Sequence, residues 1–121
     1  MSMRHLSVIR AKAGQGAPPQ ALLDAMGPYV TRTMQAGTVV STGGLAPSAA
    51  AVRVGLGDGR IAVTDGPFTG SKEVIGGYAL IAARTREDAI RFTRELPQLH
   101  LDHGPGWEGE CELRELVFLA P

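Results

Sequence analysis

Three reactive side chains stand close together in sequence between two predicted strands, in the segment 63–78. They are the carboxylate of Asp65, the amine of Lys72 and the phenol of Tyr78. A carboxylate can act as a general base, while an amine and an aromatic hydroxyl can hold a small polar or aromatic molecule. This segment is therefore the candidate site for proton transfer or for ligand binding.

Asp65 itself has two interpretations. It falls on the same strand face as Ile61 and Val63, where partial burial would make its carboxylate a stronger base. An aspartate before Gly66-Pro67 is also a common turn former, because its side chain accepts backbone N–H groups. The residues alone allow either a catalytic or a structural role.

Glycines around this segment indicate where a ligand could approach the backbone. Residues 43, 44, 66, 76 and 77 have no side chains, and Pro67 holds the adjacent turn rigid. The predicted small-molecule site therefore joins the hairpin, the loop 43–47 and the strand that begins at Tyr78. Gly44 and Phe68 complete the ligand-binding candidates, together with Lys72 and Tyr78.

His100, Asp102 and His103 form a cluster of potential metal ligands in a predicted loop. They could converge on zinc, with Glu108 completing the shell. A polar surface loop is the simpler interpretation, since no second cluster supports a metal site and glycines follow. The sequence therefore predicts neither a metal nor a cofactor.

Composition limits the class of protein. A length of 121 residues predicts a single domain spanning residues 1–121. Twelve basic residues balance twelve acidic ones, so we expect no nucleic-acid or membrane partner. A lone cysteine and the lack of an apolar leader predict a soluble protein of the reducing cytoplasm.

Hydrophobic patterning predicts the order strand, helix, strand, hairpin, strand, helix, strand. The first strand covers 4–10, the second 38–42, the hairpin turns at Asp58-Gly59, and a central strand covers 78–83. A final strand around Cys111 continues toward Phe118. In the first strand, Leu6 and Val8 alternate with a second set of residues, namely His5, Ser7 and Ile9.

The first helix follows Pro18-Pro19. Pro28 predicts a kink in it, or its division into two short helices, and Gly37 is expected to end it in a left-handed conformation. Its predicted inward face consists of Leu22, Met26, Val30 and Met34.

The second helix has signals at both ends. Thr85, with Asp88 three residues later, resembles an N-terminal capping box. Pro97 is expected to end the helix, before a loop that covers 98–109.

Two strand–helix–strand crossovers place both helices on one face of an antiparallel sheet. This is the ferredoxin-like βαββαβ arrangement, here with an extra β-hairpin. The strands carry apolar residues on both faces, so the uncovered face needs a partner, which a second copy of the chain would supply. The predicted fold class is therefore α+β, in a homodimer of the dimeric α/β-barrel type.

The candidate segment also carries a family resemblance. Asp65-Gly66-Pro67-Phe68, Lys72-Glu73 and Gly76-Gly77-Tyr78 resemble the signature of the YCII-related family, in its DGPF branch. Glu112-Leu113-Arg114 resembles the family's final strand. The resemblance implies the same ferredoxin-like dimer. Some family members use a His-Asp pair, but no histidine here is identified at that position, so the mechanism is not transferred.

Two function classes remain open. In the first, the protein is an enzyme that transfers a proton, with Asp65 as the base and Lys72 or Tyr78 holding the substrate. In the second, it is a non-catalytic module that binds a ligand or a partner, and the signature segment only determines the fold. A fold alone does not choose between them.

Overall fold

The computed structural model describes residues 3–68 and 73–117. The strands are β1 (Met3–Lys12), β2 (Val39–Gly44), β3 (Val52–Gly57), β4 (Arg60–Asp65), β5 (Glu73–Ala83) and β6 (Gly109–Glu115). The helices are α1 (Gln20–Gln35), α2 (Arg86–Thr93) and α3 (Glu95–His103), and a 3-10 turn covers Ser48–Ala50. In these two ranges no helix is long and apolar enough to span a bilayer.

Four strands form one sheet in the order β2-β5-β1-β6, and β3 pairs with β4 in a separate hairpin. Each neighbouring pair is antiparallel. The α+β class with antiparallel sheets is therefore confirmed. The strand order matches the one expected for the ferredoxin-like arrangement. The hairpin is inserted in the chain between β2 and β5.

The main sheet has one covered face and one uncovered face. His5 and Ser7 are buried on the inner face, which the helices cover, as is Ile81 on β5. Leu6 and Val8 lie on the outer face, directly opposite Leu80 and Tyr78. The predicted alternation of β1 is therefore confirmed, and the core lies between the inner face and the helices. The outer face of β5 has no helix over it in the described part of the chain.

Helix α1 differs from its prediction in two respects. It runs unbroken through Pro28, so the division into two helices is wrong. Pro28 is exposed, as is Asp24 one turn earlier, so water can reach the carbonyl that proline leaves without a partner. The inward face also turns at its end, because Thr33 is buried whereas Met34 is 46% exposed.

The end of α1 follows the prediction. Gly37 has a φ of 78°, in the left-handed region. Its N–H donates to Met34 O, and the N–H of Thr38 donates to Thr33 O, which closes the helix with the paired bonds of a Schellman motif.

The region after β5 confirms the predicted start of the second helix and corrects its predicted end. Thr85 Oγ1 accepts the N–H of Asp88 at 3.1 Å, so Thr85 is the N-cap of α2. Pro97 does not end a helix, because α2 stops at Thr93 and Pro97 is the third residue of α3. A proline there costs little, since the first N–H groups of a helix have no partner within it. The predicted loop over 98–109 is therefore helical as far as His103.

The hairpin turns as predicted. Asp58 and Gly59 both have positive φ, 51° and 71°, which is the requirement of a type I′ turn. At the hairpin's root, the N–H of Gly66 donates to Ala51 O at 2.7 Å.

Gly66 is required by close packing at this root. A Cβ added to it would overlap the carbonyl oxygen of Ser48 and lie 3.1 Å from that of Ala51. These are backbone atoms, which cannot rotate away as a side chain can. Backbone packing alone therefore explains why glycine is needed at position 66, independently of any ligand.

We expect Gly66→Ala to lower the free energy of unfolding by more than about 2 kcal/mol, because the added methyl group forces the backbone apart. Gly55→Ala is the matched control, since no atom lies within 4 Å of its added Cβ. Urea denaturation of both variants measures the difference. Equal stability of the two variants would contradict the packing role of Gly66.

Candidate functional site

A cavity of about 420 Å³ lies between the inner face of the sheet and the helices. Its floor is built from small and aliphatic residues of the strands, and its roof from larger residues of the helices. The floor includes Ser7, Ile9, Val39, Thr42, Ala79, Ile81 and Cys111, with Gly43, Gly44, Gly76 and Gly77 at one end. The roof includes Met26, Tyr29, Val30, Thr33, Phe92, Thr93, Leu96 and His100.

Several hydroxyls in the lining already have partners. Thr33 Oγ1 donates to Tyr29 O, Thr42 Oγ1 to Tyr78 O, and Thr93 Oγ1 to Ala89 O, all within 2.9 Å. A hydroxyl that bonds to a nearby backbone carbonyl presents mainly its methyl group to the cavity. These threonines therefore add to the apolar character of the lining.

His100 has a defined orientation in the roof. Its Nδ1 lies 2.9 Å from Leu96 O, and since a carbonyl only accepts, the hydrogen is on Nδ1. Its ring contacts that of Trp107 at a tilt of 35°, with 4.1 Å between the ring centroids. In the neutral ring Nε2 is then the acceptor, and it has no hydrogen bond among the described residues.

Tyr29 is a second polar group of the roof. Burial, followed by the nearby charge of Glu95, raises the pKa of Tyr29 to about 12. Its phenol is therefore neutral under all ordinary conditions and can donate or accept a hydrogen bond.

Cys111 is the third group with reactive chemistry, and it lies on the floor. Burial raises the pKa of the thiol, although the hydroxyl of Ser7 opposes this by bonding to the sulfur. A thiol is a poor nucleophile when it is protonated. Cys111 is therefore a small packing residue of the floor.

The lining contains no Lys, Arg, Asp or Glu among the residues that the structure describes. A charged ligand would lose its hydration here without gaining a counter-charge, which is costly in an apolar site. The cavity is therefore suited to a neutral molecule.

The predicted ligand-binding residues are divided between different surfaces. Gly44 lines the cavity, at its glycine-rich end. Tyr78 lies on the opposite, outer face of the sheet, where its hydroxyl is 3.3 Å from Ser41 Oγ. Phe68 is half-buried beside the hairpin, with the guanidinium of Arg53 lying 3.6 Å above its ring. Lys72 lies outside the described residues.

Asp65 is exposed, contrary to the expected partial burial. It is the last residue of β4, opposite Val52, and it does share a face with Ile61 and Val63. The face was predicted correctly, but this chain supplies no cover for it in the described ranges. Asp65 does not line the cavity that contains Gly44.

His100, Asp102 and His103 lie on α3 rather than in a loop. On the helix His100 and His103, three residues apart, lie on one side and Asp102 points away from it, and among the described residues no three potential ligands come together in a metal-binding group. The cavity groups Tyr29 and His100 were missed because their proximity depends on packing between α1 and α3. The one sequence signal was the four-residue spacing of Leu96 and His100.

We expect the titration of Tyr29 to appear directly in solution. Its pKa rises from 10.0 to about 12 on folding, so the stability it contributes is complete below pH 10 and is lost as pH rises toward 12. Near-ultraviolet tyrosinate absorbance should show a component near pH 12 that Tyr29→Phe removes. Tyr78→Phe is the control and should retain it; loss of that component in the control would contradict the assignment.

Two sequence comparisons identify relatives of this chain. The sequence matches the YCII-related domain over residues 3–104, a range that includes the segment 63–78 and the three cavity helices. It is also 30% identical over 88 residues to an uncharacterised protein of Rhizobium meliloti (strain 1021), a match that covers 73% of this chain and 67% of that protein. The chain therefore belongs to the YCII-related family.

Proposed function

We propose that the protein binds a small, neutral, mainly apolar molecule in the cavity between the sheet and the helices. The observation that carries this proposal is the cavity itself, about 420 Å³ in volume and without a charged side chain among its described lining residues. Ligand cavities of this kind are mostly apolar, with a few polar groups that fix orientation.

The polar groups indicate which ligand would fit. His100 Nε2 can accept a hydrogen bond, and the neutral hydroxyl of Tyr29 can donate or accept one. A ligand with an aromatic or aliphatic body and one hydroxyl or N–H group would satisfy both. An anion would meet no basic side chain, and the raised pKa values of Tyr29 and Cys111 show that this environment disfavours negative charge.

We expect 2-naphthol to bind with one-to-one stoichiometry in isothermal titration calorimetry, and the anion 2-naphthoate, which has the same ring system, to bind at least tenfold more weakly. Ala79→Leu should abolish naphthol binding, because Ala79 is on the cavity floor and the larger side chain fills the space. Ala21→Leu, an exposed position on α1, is the matched control. Equal binding by the two variants, or tighter binding of the anion, would contradict the proposal.

The outer face of the sheet supports a homodimer, in which two sheets pack face to face as in dimeric α/β barrels. Leu6, Val8, Leu80 and Tyr78 form an apolar patch on this face, at the centre of the sheet. A patch at the centre of an uncovered sheet is a typical protein-binding surface, and a two-fold axis lets the same patch serve on both chains.

A second candidate function is acid–base catalysis at Asp65, in the DGPF branch of the family. What favours it is the position of the carboxylate at the end of an aliphatic face, where a second chain could enclose it. Catalysis would then require the homodimer, because a general base works best in a site from which water is excluded.

Sedimentation should show a dimer at micromolar concentration. In that dimer, carbodiimide coupling to an amine should modify Asp65 more slowly than Asp58, the exposed aspartate at the tip of the same hairpin. Peptide mass spectrometry measures both rates in one sample. A monomer would contradict the homodimer, and equal rates within a dimer would contradict the enclosed site at Asp65.

A further inference from the structure

The hairpin formed by β3 and β4 has one strongly apolar face that nothing in the described chain covers. Its five large aliphatic side chains are Val52, Val54, Leu56, Ile61 and Val63, and they are 55%, 69%, 78%, 73% and 68% exposed. Strand pairing places all five on one side, since Val54 is opposite Val63 and Leu56 is opposite Ile61.

The opposite side of the hairpin has the composition of a solvent-facing surface. It carries Arg53, Arg60 and Thr64 together with small residues. The two sides therefore differ sharply, as they do in a strand pair that packs on another surface. A lone two-stranded hairpin is marginally stable in water unless its apolar face is packed. This hairpin consequently needs a partner for its aliphatic side.

Charge favours a protein partner over a lipid surface. From Val52 to Asp65 the hairpin contains two arginines and two aspartates, so it has no net charge to attract an anionic membrane. Lys and Arg flanks are typical of segments that lie on membranes, and this pattern is missing from that stretch.

The position of the hairpin favours a second copy of the same chain. It joins the main sheet where β2 ends and β5 begins, and the N–H of Leu45 donates to Gly76 O at this junction. Ile75, opposite Arg10 on the outer face at the same end, is 49% exposed. The root of the hairpin thus lies at the same end of the main sheet as the exposed Ile75, next to the surface that the homodimer would bury.

We propose that the hairpin is an arm that packs its aliphatic face on a second copy of the chain, alongside the contact between the two sheets. This inference rests on the homodimer of the proposed function and adds a second contact to it. By two-fold symmetry each chain gives one arm and receives one. The arm also brings the root of the hairpin, and with it Asp65, to the interface.

The test places a charge on each side of the same strand. Val63→Lys puts an amine on the aliphatic face and should weaken the dimer at least tenfold in sedimentation equilibrium. Ala62→Lys, the neighbouring residue on the opposite and exposed side, should dimerise as the unmodified chain does. Leu56→Lys, near the tip, is a second variant on the aliphatic face and should behave like Val63→Lys. Far-ultraviolet circular dichroism checks that each variant is folded.

Val8→Lys on the outer sheet face separates the arm from the sheet contact. If Val8→Lys dissociates the dimer and neither Val63→Lys nor Leu56→Lys does, the homodimer stands and the arm is overturned. A monomeric unmodified chain would overturn both. The arm would also be overturned if the unmodified chain sedimented with phosphatidylcholine–phosphatidylglycerol vesicles and Val63→Lys did not, because the aliphatic face would then bind a membrane.

Discussion

The antiparallel pairing of β1 with β5 is the interaction on which the rest of the structure depends. These strands occupy the middle of the sheet and are paired from Met3 and Ala83 to Lys12 and Glu73. Their alternation fixes which residues meet the helices and which do not. Because the three helices of the described residues cover the inner face, the outer face of the same two strands has no helix over it in that part of the chain.

Small residues on the floor create the cavity. Ser7 and Ala79 are directly opposite each other on the two central strands, and both line the cavity with small side chains. Further along, an added Cβ on Gly77 would lie 2.7 Å from Gly43 O, so glycine allows β2 and β5 to approach closely there. The space between the layers is thus a property of side-chain size along two paired strands, and the larger roof residues Tyr29 and His100 give it polarity.

Local signals in the sequence predicted local structure well. The turn at Asp58-Gly59, the cap at Thr85 and the left-handed Gly37 each depend on a few neighbouring residues, and each was predicted correctly. The prediction that Pro97 ends a helix was wrong, because proline occurs both after a helix and in the first turn of a helix. Only the packing of α3 distinguishes the two cases. The cavity was not predicted, since its lining comes from elements far apart in sequence. The exposure of Asp65 depends on what covers the hairpin, which periodicity does not encode.

The contact between the rings of Trp107 and His100 gives the protein an intrinsic optical signal. The chain has a single tryptophan, and its indole lies between the imidazole at the roof of the cavity and the backbone of Gly109, where a Cβ would overlap it. All tryptophan emission therefore comes from one place, at the junction of α3 and β6. A molecule that moves His100 alters the surroundings of that indole. Events inside the cavity become visible by fluorescence without any label.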